Sequence, residues 1–324
     1  MSLECLNLLK MMRVIRYSEE QLGDDFADGK LPGGVHLSVG QEAVAAGICA
    51  HLTDRDQVSS NHRGHGHFLA KGGTPKQLFA EIHGKDEGSC RGMGGSLHVA
   101  DYSKGIIGAN GIVGAGLPIA TGAALANQMD NDGSMTVVFF GDGAANQGVL
   151  QESMNFAALW GLPLLYVCEN NQFGQFSPTA TETAGTISER AKAFEIPVEM
   201  IDGNDVRTVW QTMSWATDHI RVGKGPVFIE ADTYRIRNHF ERENLIITNP
   251  YRTEDEIEQM RRERDPIQSL ENWLTEENLA DRETITAIDN EAKAAVEEAA
   301  AFAEAGTLPP NDAAEQYMFA GTYS

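Results

Sequence analysis

Two polar residues, Asp142 and Asn171, have the side-chain types and the spacing that suit metal chemistry. Each follows a short apolar segment, Asp142 within G-D-G and Asn171 within E-N-N. A carboxylate, a carboxamide oxygen and a nearby backbone carbonyl are hard oxygen ligands suited to Mg²⁺, which completes its shell with phosphate oxygens and water. A helix that begins near Asn146 would add backbone N–H groups that favour an anion. The sequence therefore predicts a site for Mg²⁺ and a diphosphate.

A β-α-β unit is predicted to position these two residues. Thr136–Phe140 and Leu164–Cys168 are apolar runs typical of strands buried on both faces. Between them we predict a helix from Asn146, as N-cap, to Trp160. Strands joined by one right-handed crossover are parallel and often adjacent, so residues just past their carboxyl ends can converge on a ligand. Asp-Gly or Asn-Asn alone would more often be an ordinary turn. It is their spacing across one unit that indicates a site.

A second candidate is the histidine-rich stretch S-S-N-H-R-G-H-G-H at 59–67. Its histidines, His62, His65 and His67, admit a zinc site, although no Cys or carboxylate stands at suitable spacing. A solvated loop is another alternative. We favour an anion-binding and proton-transfer loop, because Arg63 is a forked donor for a diphosphate. His65 would move the proton, since histidine titrates near neutral pH.

The stretch from 88 to 116 is dense in glycine but contains neither of the usual nucleotide-loop signatures, G-x-G-x-x-G and G-x-x-x-x-G-K-[ST]. Such density suits a backbone that bends sharply or approaches a ligand closely. A flexible loop fits poorly, because Ile106, Ile107, Ile112 and Val113 are apolar and are expected to be buried.

The composition excludes several classes of protein. The 324 residues carry 47 acidic and 25 basic side chains, a formal charge of −22, which argues against nucleic acid as a partner. The four cysteines are scattered and are expected to be reduced thiols, with Cys168 buried in its strand. We find neither a membrane-spanning stretch nor a leader peptide, and we expect a cytoplasmic protein without membrane contact.

The order of predicted elements indicates an α/β protein with a doubly wound, mostly parallel sheet. We expect one domain over 1–324: an N-terminal helical segment (1–30) closing near Gly23, an α/β core (about 31–252) and a helical tail (about 253–324). Further expected elements share helical or strand periodicity and are, in order, a helix over 116–128, a helix over 188–194, a helix over 206–222, a strand over 227–230, a capping box at 253–256 and a helix over 283–305.

The central motifs resemble those of a known family. G-D-G followed about thirty residues later by N-N resembles the thiamine diphosphate motif. G-D-G-A-A-N-Q-G, E-S-M-N-F-A-A-L-W and E-N-N-Q-F-G resemble the α subunit of two-subunit 2-oxo acid dehydrogenases, the E1 component. Similar matches, H-x-x-x-G-Q-E-A from His36 and G-I-V-G-A from Gly111, extend the resemblance over nearly the whole chain. The fold implied is the thiamine diphosphate-binding fold.

The resemblance also implies roles for individual residues. Mg²⁺ would be bound by the side chains of Asp142 and Asn171 and by the carbonyl of Phe173, and the Val113 backbone would pair with the aminopyrimidine ring. Catalytic roles fall to His239, the loop histidine that donates a proton in relatives, and to His36 and His65. The remaining implied cofactor contacts are His62, where many relatives carry Tyr, together with Arg63, Gly111, Gly141, Gly143, Ala144 and Asn146.

One loop departs from the family pattern. Relatives continue after T-Y-R roughly as x-x-G-H-S-x-x-D-P-x-x-Y-R, whereas this chain has Asn238 before the loop histidine and Phe240 after it, in a longer loop. The serine that is phosphorylated in mitochondrial relatives is therefore absent from that position. We expect this departure to bear on which substrate is accepted and on whether the acyl unit is passed to a lipoyl domain.

The function implied is that of an oxidoreductase. It would use thiamine diphosphate and Mg²⁺ to cleave acetoin, our first choice of substrate, or to decarboxylate a 2-oxo acid such as pyruvate, and would pass the acyl unit to lipoamide. Activity would require an E1 β subunit in an α2β2 heterotetramer, with a lipoylated E2 acyltransferase as a further partner. Two alternatives stay open: a thiamine-dependent carboligase without a lipoyl acceptor, and a degenerate subunit without turnover.

Overall fold

A six-stranded, wholly parallel sheet forms the centre of the protein. The computed structural model describes residues 2–318, and the strands of the sheet lie in the order β2-β1-β3-β4-β8-β7. A separate two-stranded antiparallel sheet is formed by β5 and β6. The strands are β1 (Gln57–Ser59), β2 (Ile106–Gly108), β3 (Thr136–Gly141), β4 (Leu164–Asn170), β5 (Phe173–Gly174), β6 (Ser177–Pro178), β7 (Val198–Asp202) and β8 (Val227–Asp232).

Helices cover both faces of the six-stranded sheet and form the two ends of the described chain. They are α1 (Ser2–Ala27), α2 (Glu42–Cys49), α3 (His65–Ala70), α4 (Pro75–Ile82), α5 (Gly116–Asp130), α6 (Asp142–Ala145), α7 (Gly148–Trp160), α8 (Thr179–Glu182), α9 (Ile187–Lys192), α10 (Val206–Arg221), α11 (Glu254–Glu263), α12 (Pro266–Glu276), α13 (Arg282–Ala305) and α14 (Ala313–Met318).

The alternation of side chains along β3 explains why its sequence is continuously apolar. Val138 and Phe140 belong to the core under α5 and α7, whereas Val137 and Phe139 belong to the core under α2 and α10. Successive residues of a strand point to opposite faces, so a strand between two helical layers must be apolar at every position. The expected doubly wound α/β fold is confirmed.

The strand order leaves room for a ligand at the carboxyl edge of the sheet. From β1 the chain moves outward to β2, and then returns to the other side of β1 for β3 and β4. This reversal between β1 and β3 is a topological switch point, where the loops after the carboxyl ends of the strands separate and leave a crevice.

The first and last long helices pack against each other. The Tyr17 hydroxyl of α1 donates to Asp289 of α13 at 2.6 Å, and the Arg13 guanidinium lies 3.1 Å from the same carboxylate. Along α13, Ala292, Val296 and Ala299 are buried at helical spacing. No helix within residues 2–318 is long and apolar enough to cross a membrane.

Two boundaries differ from the sequence prediction for clear reasons. α1 continues through Gly23 to Ala27, because Gly23 makes room for a neighbour rather than ending the helix: a Cβ there would lie 2.5 Å from Nη2 of Arg237. The predicted helix over 146–160 is α7, which begins at Gly148 with Gln147 as its N-cap, and the separate short helix α6 precedes it. Asn146 does not cap α7: its Oδ1 accepts from the Arg190 guanidinium at 2.9 Å, and its Nδ2 donates to the 182–183 segment.

Other differences are smaller. Strands β4 and β8 each extend two residues beyond the predicted ends, and the predicted 59–67 loop is partly helical, since α3 begins at His65. The capping box at 253–256 is half formed, because the Glu256 carboxylate accepts from the Tyr234 hydroxyl instead of turning back to the cap. The remaining predicted helices and strands are confirmed within two residues.

Within the glycine-rich stretch, the burial prediction was wrong for two residues. Ile106 is buried in β2, but Ile112 and Val113 are 70% and 53% exposed. The carboxamide of Asn110 accepts from the Ile112 amide at 2.8 Å, which turns the backbone outward at this point.

Candidate active site

A cavity of about 480 Å³ opens at the carboxyl edge of the sheet. Its walls are the segments that follow β1, β2, β3, β4 and β8, which is the position expected for a ligand in an open α/β sheet. Thirteen of the fourteen site residues predicted from the sequence line it: His36, His62, Arg63, Gly111, Val113, Gly141, Asp142, Gly143, Ala144, Asn146, Asn171, Phe173 and His239.

Two buried arginines meet at this cavity. Arg63 is 5% exposed and Arg235 is 1% exposed. Among residues 2–318 neither guanidinium forms an ion pair with a carboxylate; Arg63 donates to the Leu37 carbonyl at 2.5 Å, and Arg235 donates to the Tyr251 hydroxyl at 2.7 Å. Burial, and then the neighbouring Arg235 charge, lowers the pKa of Arg63 to about 9. Two buried cations that repel each other are the electrostatic signature of a site for an anion of high charge.

Three histidines form a cluster beside these arginines. The ring centroid of His36 lies 5.0 Å from those of His62 and His239, and the last two lie 5.4 Å apart. Burial and the Arg63 charge lower the pKa of His36 to about 3 and that of His62 to about 2, and the same causes hold the pKa of His239 well below its usual range. Without an anion in the cavity, all three imidazoles are therefore neutral.

His239 is in direct contact with both arginines. Its Nδ1 lies 3.2 Å from Nη1 of Arg235 and 3.5 Å from Nη2 of Arg63. Its backbone N–H donates to the buried carboxylate of Glu243 at 2.7 Å, and the Tyr251 hydroxyl donates to the same carboxylate at 3.0 Å. The loop that departs from the family pattern is thus anchored on the arginines of the cavity.

The predicted metal-binding residues line the same cavity. Asp142 is 2% exposed and Asn171 is 7% exposed, just past the ends of the paired strands β3 and β4. Burial raises the pKa of the Asp142 carboxyl, although a hydrogen bond from Thr179 opposes this. A bound cation would reverse the effect, since an opposite charge favours the carboxylate.

His65 is the one predicted site residue outside the cavity lining. It is fully buried, with Nδ1 2.9 Å from a Glu19 carboxylate oxygen and Nε2 2.9 Å from the Ser96 hydroxyl. The expectation that His65 contacts reacting groups is therefore corrected: its two ring nitrogens are already used, and it connects α1 to the glycine-rich segment.

The three histidines of the 59–67 stretch do not share a centre. His62 faces the cavity and His65 contacts Glu19, whereas His67 stacks on Phe139 and places Nε2 3.2 Å from Glu169. Within residues 2–318 no group of three or more His, Cys, Asp or Glu side chains could hold a metal ion. The geometry contradicts the zinc alternative for this stretch.

Some lining residues were missed by the sequence reasoning. Arg235 stands just after β8 in the quoted T-Y-R, and an arginine that follows a strand at this edge was a usable signal. Gln41 stands in the quoted G-Q-E-A and also lines the cavity, but its contact with Asn171, 130 residues away, has no signature in the local sequence.

Comparison with known proteins identifies the family. The family model described as dehydrogenase E1 component matches residues 10–311. The α subunit of the acetoin:2,6-dichlorophenolindophenol oxidoreductase of Bacillus subtilis is 42% identical, over 94% of this chain and 90% of that protein. The corresponding subunit of Cupriavidus necator is 41% identical, over 95% and 92%. The α subunit of the pyruvate dehydrogenase E1 component of Rhizobium meliloti is 39% identical, over 96% and 88%. With a cavity of this design and these relatives, the chain belongs to the dehydrogenase E1 component family.

Proposed function

We propose that this chain is the α subunit of an enzyme that uses thiamine diphosphate and Mg²⁺ to cleave acetoin or to decarboxylate a 2-oxo acid, with transfer of the acyl unit to lipoamide. The observation that carries the proposal is that two buried arginines, which have no carboxylate partner within residues 2–318, line the same cavity as the buried carboxylate of Asp142. The E1 family implies thiamine diphosphate as the coenzyme. The cavity offers arginines for its diphosphate and oxygen ligands for a metal ion.

The diphosphate of the coenzyme would be bound by Arg63 and Arg235. Their planar guanidiniums can each donate two parallel hydrogen bonds to phosphate oxygens. The first turn of α6, with Gly143 and Ala144, adds backbone N–H groups without acceptors inside the helix. Within residues 2–318 no carboxylate pairs with either guanidinium, so an anion would not have to displace one.

Mg²⁺ would be bound by the side chains of Asp142 and Asn171 and by the carbonyl of Phe173. Hard oxygen ligands of this kind, completed by diphosphate oxygens and water, match the preference of Mg²⁺. The close approach of Gly143 to Gly174, where a Cβ on Gly143 would lie 3.2 Å from the Gly174 Cα, keeps the β3 and β4 loops together. The donor set fits the metal.

The chemistry at the substrate would fall to the histidine cluster. When bound, the coenzyme supplies the nucleophilic carbon, and the protein supplies orientation and protons. An anion in the cavity would raise the pKa values of His36 and His239 from their depressed values, because a negative charge favours the imidazolium. His239 could then donate a proton to the substrate oxygen and recover it later.

The β subunit is proposed as the partner that completes the site, in an α2β2 heterotetramer. Both kinds of relative are named as α subunits. α5 and α7 also expose large apolar side chains on their outer sides: Ile119, Met129, Phe156, Leu159 and Trp160. Exposed apolar patches of this kind mark interaction surfaces. Ile112 and Val113, which line the cavity, are exposed apolar residues as well.

Acetoin is the first proposed substrate and pyruvate the second, in the order of identity of the relatives. None of the relatives reported above supports the carboligase alternative. The lipoylated E2 acceptor, the cytoplasmic location and the single-domain organisation stay proposals from the sequence.

The test is dye reduction by the α subunit co-purified with its β partner. The complex would receive thiamine diphosphate, Mg²⁺ and 2,6-dichlorophenolindophenol, with acetoin, pyruvate or a branched 2-oxo acid offered separately. We expect reduction with acetoin and its loss in Asp142→Asn, while Asp132→Asn, an exposed acid on a turn, behaves as the wild type. Consumption of substrate without dye reduction would instead support the carboligase. Failure to bind thiamine diphosphate at all would support the degenerate subunit.

A further inference from the structure

The turn that carries Gln41 is rigid. Its predecessor Gly40 has φ +96°, and a Cβ there would lie 2.7 Å from the Tyr234 carbonyl oxygen. The Gly40 N–H donates to both carboxylate oxygens of Glu42 at 3.1 Å, and Asn204 donates to the Gly40 carbonyl at 2.8 Å. The backbone from which the Gln41 side chain extends is therefore fixed by the turn.

Gln41 contacts a proposed metal ligand directly. Its Oε1 accepts from Nδ2 of Asn171 at 3.0 Å. On the other side, the backbone N–H of Phe173 donates to Oδ1 of Asn171 at 3.3 Å. A backbone N–H can only donate, so the Phe173 contact identifies Oδ1 as the acceptor end and Nδ2 as the end that faces Gln41. The Phe173 N–H therefore selects the orientation of the Asn171 amide, and Gln41 accepts from the donor end that this orientation leaves.

The environment of Gln41 indicates a role beyond packing. The residue is 2% exposed and lines the cavity. Within residues 2–318 its Nε2 has no hydrogen-bond partner. A buried amide with an unused donor is costly to keep, so a residue chosen only to fill space would be apolar. What the amide supplies here, and an apolar side chain could not, is the acceptor for Asn171.

We propose that Gln41 is a positioning residue for the metal: by accepting from Nδ2, it holds the Asn171 amide with Oδ1 presented to Mg²⁺. This inference rests on the proposed function, since it assumes that Asn171 is a metal ligand. An amide that turned over would present an N–H, which cannot bind a cation. The contact with Gln41 opposes that turn.

The test measures metal affinity directly rather than turnover. Mn²⁺ is titrated into the co-purified complex with thiamine diphosphate present, and free Mn²⁺ is read from its electron paramagnetic resonance signal. Gln41→Met keeps the length of the side chain and removes the acceptor; we expect Mn²⁺ affinity to fall about 10- to 100-fold, as for other residues that orient a metal ligand. Gln41→Glu keeps an acceptor and should bind Mn²⁺ more tightly than Gln41→Met. Gln57→Met, at the amino end of β1, is the matched control and should equal the wild type.

A second background separates positioning from packing. Asn171→Asp presents an oxygen at both ends of its head group, so no orientation needs to be selected. In that background Gln41→Met should change Mn²⁺ affinity by no more than about twofold, the level of independent sites. An equal loss in both backgrounds would overturn the inference, because it would mean that Gln41 acts through packing.

The controls also distinguish this inference from the proposed function. If the wild-type complex binds Mn²⁺ and Gln41→Met binds it equally well, the positioning role is wrong and the metal site stands. If the wild-type complex binds no Mn²⁺ in the presence of thiamine diphosphate, the proposed metal site fails and the inference fails with it.

Discussion

Removing the charge of Glu42 is a sharp test of how the turn beside the cavity is held. Glu42 is fully buried and binds Arg16 through both oxygens: Oε1 lies 2.5 Å from Nε, and Oε2 lies 3.1 Å from Nη2. Arg16 also contacts Asp265 at 2.9 Å, which joins α1, α2 and the start of α12. The change Glu42→Gln keeps the shape and removes the charge.

The expected loss of stability follows from the buried Arg16 charge, which Glu42→Gln leaves without its carboxylate partner. Taking one member from a buried ion pair costs about 3–5 kcal/mol, because the other charge stays buried. In the variant the new amide nitrogen would face N–H donors of Arg16 or Gly40, which adds repulsion. Asp265 still compensates part of the Arg16 charge, so the lower end applies. We expect the free energy of unfolding to fall by about 3 kcal/mol.

The assay is urea unfolding of the co-purified complex, followed by tryptophan fluorescence at fixed protomer concentration, since subunit binding shifts apparent stability. Glu291→Gln is the matched control: it removes an acid of similar length that binds Lys10 at 2.7 Å, but with a side chain 62% exposed. That change should cost no more than about 1 kcal/mol. If Glu42→Gln costs no more than this control, the buried pair does not hold the turn and the reasoning is refuted.

Three further predictions concern the cavity and its rim. Arg235→Met should raise the KM for thiamine diphosphate about 10- to 100-fold, because it removes charge-assisted hydrogen bonds to the diphosphate; an unchanged KM in a cofactor titration would count against this site. The pKa of His62 is lowered to about 2, so the unfolded chain takes up a proton below pH ~6.5 that folded His62 does not, and this residue alone should lower the free energy of unfolding by about 1.4 kcal/mol per pH unit below that point, in addition to the shares of His36 and His239. His62→Asn should reduce the acid slope by that share in unfolding curves between pH 7.5 and 5, and an unaltered slope would contradict the assignment. Gly40→Ala should destabilise the protein by about 1–3 kcal/mol, because φ is +96° and the new Cβ meets the Tyr234 carbonyl; Gly29→Ala, with positive φ but open space, should cost less in the same thermal unfolding assay.

The fold could be predicted because its signals are local. The apolar runs that became β3 and β4 are continuous since both faces are covered, and this pattern needs no knowledge of partners. β1 and β2, of three residues each, were missed, because so short a run has no periodicity. Gly23 was wrongly predicted to end α1. A glycine is needed there because a side chain would collide with Arg237, which is distant in the sequence.

The site was predictable to the extent that motifs mark the ends of strands. Asp142 and Asn171 stand directly after β3 and β4, and parallel pairing brings such residues to one edge. His65 was placed in the wrong role, because nothing near it in the sequence shows that Glu19 of α1 will bury its ring. The same holds for Gln41 and Arg235, whose importance depends on where separate segments meet.

The contact between α1 and α13 has a consequence for the making of the protein. Tyr17 and Asp289 are separated by 272 residues, so at a synthesis rate of roughly 5–20 residues per second α1 emerges from the ribosome about 15–55 seconds before the helix it packs against. During that interval Tyr17 lacks the carboxylate to which it donates in the finished protein, whereas Leu9 and Met12 can already pack against Ala43 and Ala46 of α2. α1 can therefore pack on α2 and α3 early, but its contact with α13 closes only after nearly all of the intervening chain has been made.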